Sequence, residues 1–271
     1  MCRNVPDVPL AWPLVADVEP SAQPDAGPST EPCATKRDIR LAWAIHALTA
    51  SGVLLGAAGL EAVVRGHPRT AIVYLIAAMI VDGIDGPIAR AANVADAVPG
   101  MDGNILDLVV DYLTCVMLPV AFMAYFHIFP SGWTVILCAA ILFTAVLWFA
   151  RKDLMTEDHW FRGFPAIWNL VAPTFFLLRS PQWVNIVVTI LLCVLTLSDV
   201  KFVHPMQVVH RRVANVAVTA VWLGAMLALT LTWPTTYLPL EILLIAAPAW
   251  YVFVTIERTI QGDPVPAPAP T

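Results

Sequence analysis

From Leu41 to Ile256 the sequence is a succession of apolar runs separated by short polar connections: Leu41–Val64, Ala71–Arg90, Ile105–Phe126, Trp133–Phe149, Phe164–Leu178, Gln182–Leu197, Val216–Thr232 and Leu238–Ile256. Of the 271 residues 59% are hydrophobic and 13% charged, against roughly a quarter charged in an ordinary soluble domain. Inside a bilayer an unpaired backbone N–H or C=O finds no water, so runs of this kind must close their hydrogen bonds within themselves as helices. Crossing about 30 Å of hydrocarbon takes about 20 residues, which the first three runs and the last supply with ease. The expectation is an all-α integral membrane protein, a polytopic bundle of about eight transmembrane helices.

The few cations set its orientation. Lys36, Arg37, Arg40, Arg90, Arg151, Lys152, Arg162, Lys201, Arg211, Arg212 and Arg258 fall on one side, and only Arg65, Arg69 and Arg179 on the other. The cation-rich side is the cytoplasmic one, so both termini are expected there. Trp133, Trp160, Trp183 and Trp233 lie near helix ends and read as headgroup-level anchors. Residues 1–35 hold seven prolines and read as a disordered cytoplasmic tail, with prolines interrupting any signal-peptide core. A second Pro/Ala tail covers 261–271, leaving 36–260 as the membrane domain. With 15 Lys+Arg against 20 Asp+Glu there is no basic surface for nucleic acid. The five scattered cysteines suggest neither a disulfide framework nor a thiolate metal site.

The acids carry the chemistry. The second run ends VDGIDGPIAR, which puts Asp82 and Asp85 three positions apart, about 60° around a helix and about 4.5 Å along it. The third opens GNILDLVVDYL, with Asp107 and Asp111 four positions apart on one stripe. Both pairs lie at the inner ends of consecutive helices, so antiparallel packing brings four carboxylates to one depth. At about 2.5–3.5 kcal/mol each, four unpaired anions would cost on the order of 10 kcal/mol. Arg90 is the only fixed cation between Met79 and Leu113, where His and Cys are also absent. A hard divalent cation with oxygen ligands, Mg²⁺ or Mn²⁺, singly or as a pair, fits that deficit. Mid-helix His46 reads as a hydrogen-bonded core histidine, outside the site.

Asp82, Asp85, Gly86, Ala89, Arg90, Gly103, Asp107 and Asp111 in this order resemble the signature of the CDP-alcohol phosphotransferase family, D-x2-D-G-x2-A-R followed by G-x3-D-x3-D. The spacer Ala91–Asp102 is twelve residues long where the common pattern has eight. In this, and in IHALTASG (45–52), LDLVVDYLT (106–114) and FRGFPAIWN (161–169), the chain is similar to the bacterial phosphatidylcholine synthase branch.

The resemblance implies a dinuclear Mg²⁺ or Mn²⁺ site on Asp82, Asp85, Asp107 and Asp111, with Asp111 as general base. It also implies a nucleotide pocket involving Asp82, Gly86, Ala89, Arg90 and Gly103. The reaction would pass a phosphatidyl group from CDP-diacylglycerol to choline and release CMP at the cytoplasmic face of a bacterial inner membrane. A quaternary ammonium offers no N–H, so aromatic faces suit it. Trp168, Tyr112 and Phe164, with Asn169, are the acceptor candidates. Serine, inositol or glycerol phosphate as acceptor keeps the same chemistry, an ion-coupled transporter is the reading from another class, and a homodimer is one assembly the sequence allows.

Overall fold

The computed structural model describes residues 35–262 apart from Asn93; the assigned tails lie almost wholly outside them. The elements are α1 (Lys36–Val64), α2 (Pro68–Ala91), the single-turn α3 (Val94–Ala97), α4 (Gly103–Asp111), a π-helical turn (Tyr112–Met117), α5 (Leu118–Tyr125), α6 (Ser131–Phe149), β1 (Phe161–Arg162), α7 (Trp168–Leu177), α8 (Gln182–Thr196), β2 (Lys201–Phe202), α9 (Arg212–Thr232) and α10 (Leu238–Gln261). Six helical segments are long and apolar enough to cross a membrane, α4 to α5 counting as one segment, Gly103–Tyr125. The chain is an integral membrane protein. The two remaining apolar runs form helices of 10 and 15 residues, about 15 and 22 Å long.

Local chemistry sets the boundaries. Thr35 caps α1, accepting from the Asp38 backbone N–H while the Asp38 carboxylate accepts from Thr35 N–H, a reciprocal box. Pro68 opens α2, where a missing N–H costs nothing. Asp102 caps α4 by accepting from the N–H groups of Asn104 and Ile105.

A glycine stripe on α1 decides how the site-bearing helices meet. A Cβ on Gly52 would lie 2.5 Å from Val110 Cγ1, one on Gly56 3.1 Å from Leu113, and one on Gly59 2.6 Å from Leu118. Successive glycines of α1 thus touch successive residues of the third span, so the two run parallel in close contact, as small residues permit. α2 packs along α1 in the opposite sense. The first turn of α4 therefore lies level with His46, well inside α1, and the acid-bearing end of α2 meets them there.

The core is continuous from Ile72 and Leu75 through Phe122, Met123 and Trp168 to Met226 and Leu244, all nearly inaccessible. Large apolar side chains such as Leu54, Val135 and Val213 point outward, as lipid requires. Buried threonines return their hydroxyl protons to the preceding turn, Thr114 to Val110 O and Thr230 to Met226 O. β1 and β2 pair antiparallel, Phe161 with Phe202 and Arg162 with Lys201, and clip together the connections before α7 and after α8. A second small core of Trp160, Val203, Val208 and Val254 lies beside this clip. Trp160 is thus no headgroup anchor: it is buried under the Arg258 guanidinium, 5.5 Å from its ring centroid. Trp133 and Trp183 are exposed, as anchors should be.

Candidate active site

Asp82 comes from the C-terminal half of α2, and Asp107 and Asp111 from consecutive turns of α4. One carboxylate oxygen from each lies within 4.8 Å of the other two. Asp85 is buried on the same helix face and lines a small cavity with Asp82, Asp107, Thr49 and Gly52. The expected convergence is thus met by three carboxylates at ligand spacing with the fourth beside them. Asp111 Oδ1 is buried with no hydrogen-bond partner, and an acceptor left so costs about 1–3 kcal/mol or more. A cation supplies what that oxygen lacks, and three clustered carboxylates without His or Cys are the donor set of a hard ion.

Two backbone features frame the acids. Pro87 lies inside α2 and removes the N–H that would bond the Gly83 carbonyl, loosening the helix between the acids and Arg90. A π turn follows Asp111 directly; such extra-residue turns recur at functional sites. Gly86 offers its open side to Arg90, whose Nη1 would lie 3.4 Å from an added Cβ. Ala89 instead packs against a small core of Ala42, Ile45 and Val94. The long spacer is thereby explained in part, since its single-turn helix α3 seats Val94 on α1.

The acceptor candidates are not one group. Trp168 and Asn169 are buried at the start of α7, and Phe164 meets Trp168 edge to face with centroids 5.7 Å apart. The Asn169 amide donates to Cys115 Sγ at 3.3 Å, while Asn169 Oδ1 and Trp168 Nε1 are buried without partners. Tyr112 stands apart, donating its hydroxyl proton to Leu142 O and meeting Phe149 edge to face.

On the clip side, Arg151 pairs with Asp153 and Asp199, each at 3.1 Å. Its hydrogen bond holds the Asp153 carboxyl below the usual range. His204 stacks on Phe161 at 4.9 Å. Burial above all, with the Arg90 guanidinium and His159 nearby, pushes its imidazole down to about 4. That electrostatic reach places the β2 connection near the end of α2, a neighbourhood that no sequence spacing indicates.

His46, read from the sequence as a hydrogen-bonded core histidine, is buried but incompletely bonded. It is 6% exposed, Nε2 has no hydrogen-bond partner, and its ring lies over Gly103, where an added Cβ would be 3.2 Å from Cε1. Thr49 and Gly52, further along α1, line the cavity of the acids.

Carboxylates clustered in a polytopic helical bundle mark a candidate enzyme site within a membrane protein. The chain belongs to the CDP-alcohol phosphatidyltransferase family, whose profile matches residues 46–256. It is 38% identical over 220 residues to a phosphatidylcholine synthase of Pseudomonas aeruginosa, covering 81% of this chain and 92% of the relative. Identity is 33% over 215 residues with the phosphatidylcholine synthase of Rhizobium meliloti, covering 79% and 88%. With that of Borreliella burgdorferi it is 31% over 185 residues, covering 68% and 79%.

Proposed function

We propose that the protein is a phosphatidylcholine synthase, transferring the phosphatidyl group of CDP-diacylglycerol to choline with release of CMP. The observation that carries this is the meeting of Asp82, Asp107 and Asp111 with one Asp111 oxygen left unpaired, in a family defined by CDP-alcohol substrates. The relatives' names support choline as the acceptor.

Asp82, Asp107 and Asp111, with Asp85 beside them, would hold Mg²⁺ or Mn²⁺, as one ion or two. When bound, such ions neutralise the pyrophosphate and polarise the phosphorus under attack. Asp111 takes the choline hydroxyl proton on its carboxylate. The choline oxygen then forms its bond to the lipid-bearing phosphorus as the pyrophosphate P–O bond breaks and CMP leaves with that electron pair. Arg90, folded over Gly86, and the first turn of α4 at Gly103 receive the nucleotide. Trp168 and Phe164 form the apolar wall of the acceptor site, with the unpaired Asn169 carbonyl facing the ammonium. Tyr112, its hydroxyl committed elsewhere, is an outer member of that set.

In this reading the six long helices and the two short apolar ones α7 and α8 make eight membrane segments. The start of α1, the end of α10 and the acids lie on the cytoplasmic side of a bacterial inner membrane. Lipid tails stay in the bilayer while choline arrives from water.

The test is CMP release by purified protein given CDP-diacylglycerol and Mn²⁺ with choline, serine, inositol or glycerol phosphate in turn. Choline alone is expected to support turnover; release with another alcohol but not choline reassigns the acceptor.

A further inference from the structure

We propose that His46 is a donor-binding residue, its imidazole N–H holding the phosphate of the CMP half of the substrate. The inference rests on the reading of the site as one for CDP-diacylglycerol. His46 is 94% buried by its 6% exposure, and its Nε2 has no hydrogen-bond partner. A polar atom left so in an apolar bundle is explained by a ligand that completes it. Its surroundings point to which ligand. Thr49 lies one turn further along α1 on the same face and lines the cavity of Asp82, Asp85 and Asp107. Gly103 stands one turn before Asp107 on the parallel helix, and its missing side chain lets the ring approach. The imidazole thus stands between the carboxylates and the ends at which α1 and α4 begin. A pyrophosphate substrate seated on the acids with its lipid in the bilayer extends its nucleotide through that gap. The chemical class is therefore a nucleoside monophosphate anion, read by an N–H donor where Arg90 supplies the charge.

The probe is CMP titrated calorimetrically into wild-type protein in phosphatidylglycerol nanodiscs with Mn²⁺. His46→Ala is expected to weaken CMP binding tenfold or more and to raise the donor KM by a similar factor. The choline KM should stay within twofold, and His46→Gln, which keeps an N–H donor, should recover most of the loss. His46→Leu keeps the volume without the donor, and is expected to melt no lower than wild type while binding CMP as poorly as His46→Ala. CMP affinity within twofold of wild type in a folded His46→Ala or His46→Leu variant overturns the proposal, as does loss of Mn²⁺ affinity measured without nucleotide. Wild-type protein that binds no CMP at all would instead remove the donor reading beneath it.

Discussion

Substituting Gly52 by alanine adds one methyl group where α1 touches the site-bearing helix. The new Cβ would lie 2.5 Å from Val110 Cγ1, whereas carbon atoms settle at about 3.5–4.0 Å. Val110 cannot swing away, because a β-branched side chain in a helix has one strongly preferred rotamer and this one is buried. The helices must therefore part by about 1 Å, an overpacking cost of about 1–3 kcal/mol. Val110 sits between Asp107 and Asp111, so the same displacement carries both acids away from Asp82. A misplacement of about 1 Å in a reacting constellation costs on the order of 100-fold in rate, about 2.7 kcal/mol of transition-state stabilisation. The assay is CMP release with choline, read as kcat/KM beside the thermal midpoint. Gly52→Ala should stay folded with a lowered midpoint and lose about two orders of magnitude in kcat/KM. Gly224→Ala on α9, where a Cβ meets nothing within 4 Å, should change neither. A folded Gly52→Ala enzyme within threefold of wild-type activity would refute the claim that α1 sets the positions of Asp107 and Asp111.

Asp111→Asn should abolish turnover while retaining CMP binding, since the amide keeps the shape and loses the base; substantial residual turnover, measured as CMP release, removes Asp111 from that role. Chelation should stop CMP release, and Mn²⁺ should restore it and raise the thermal midpoint by mass action, an increase that shrinks in Asp107→Asn. Trp168 is wholly buried, so alanine there risks a cavity cost of about 3–5 kcal/mol; Trp168→Phe is the cleaner probe and should raise the choline KM well above any change in the donor KM. His204, held near 4 when folded and near 6.5 when unfolded, binds fewer protons in the native state between those values. Stability is expected to fall as pH drops from about 6.5 to 4, by up to about 3 kcal/mol; His204→Gln should flatten that slope in thermal midpoints across the window.

The positions of the four aspartates were legible because helix periodicity is a local rule: three or four residues apart means one face, whatever the neighbours. Membrane spans were legible for a similar reason, since 29 residues of α1 or 24 of α2 declare themselves by length and apolarity. The partner of each face was not. Nothing local in Gly52, Gly56 and Gly59 says that they receive Val110, Leu113 and Leu118 rather than lipid. His46 read as a core histidine because nothing local shows that its ring packs on Gly103, 57 positions away. Trp160 looked like an anchor until the clip between β1 and β2 folded Val203 and Val208 over it. The acceptor candidates divided for the same reason: Asn169 meets Cys115 across the bundle, while Tyr112 turns toward α6.

The π turn from Tyr112 to Met117 divides the third span into two halves of independent phase. A wide turn inserts one residue into the winding, so everything beyond it is rotated by about 100° relative to an uninterrupted α-helix. The first half can therefore aim its carboxylates at α2, while the second turns Leu118, Phe122 and Met123 into the deepest part of the core. Without that offset, the azimuth that suits the acids would dictate which side chains the lower half buries. Regular α-winding of the same sequence would set the two halves against each other, so the length of this short stretch matters as much as its composition.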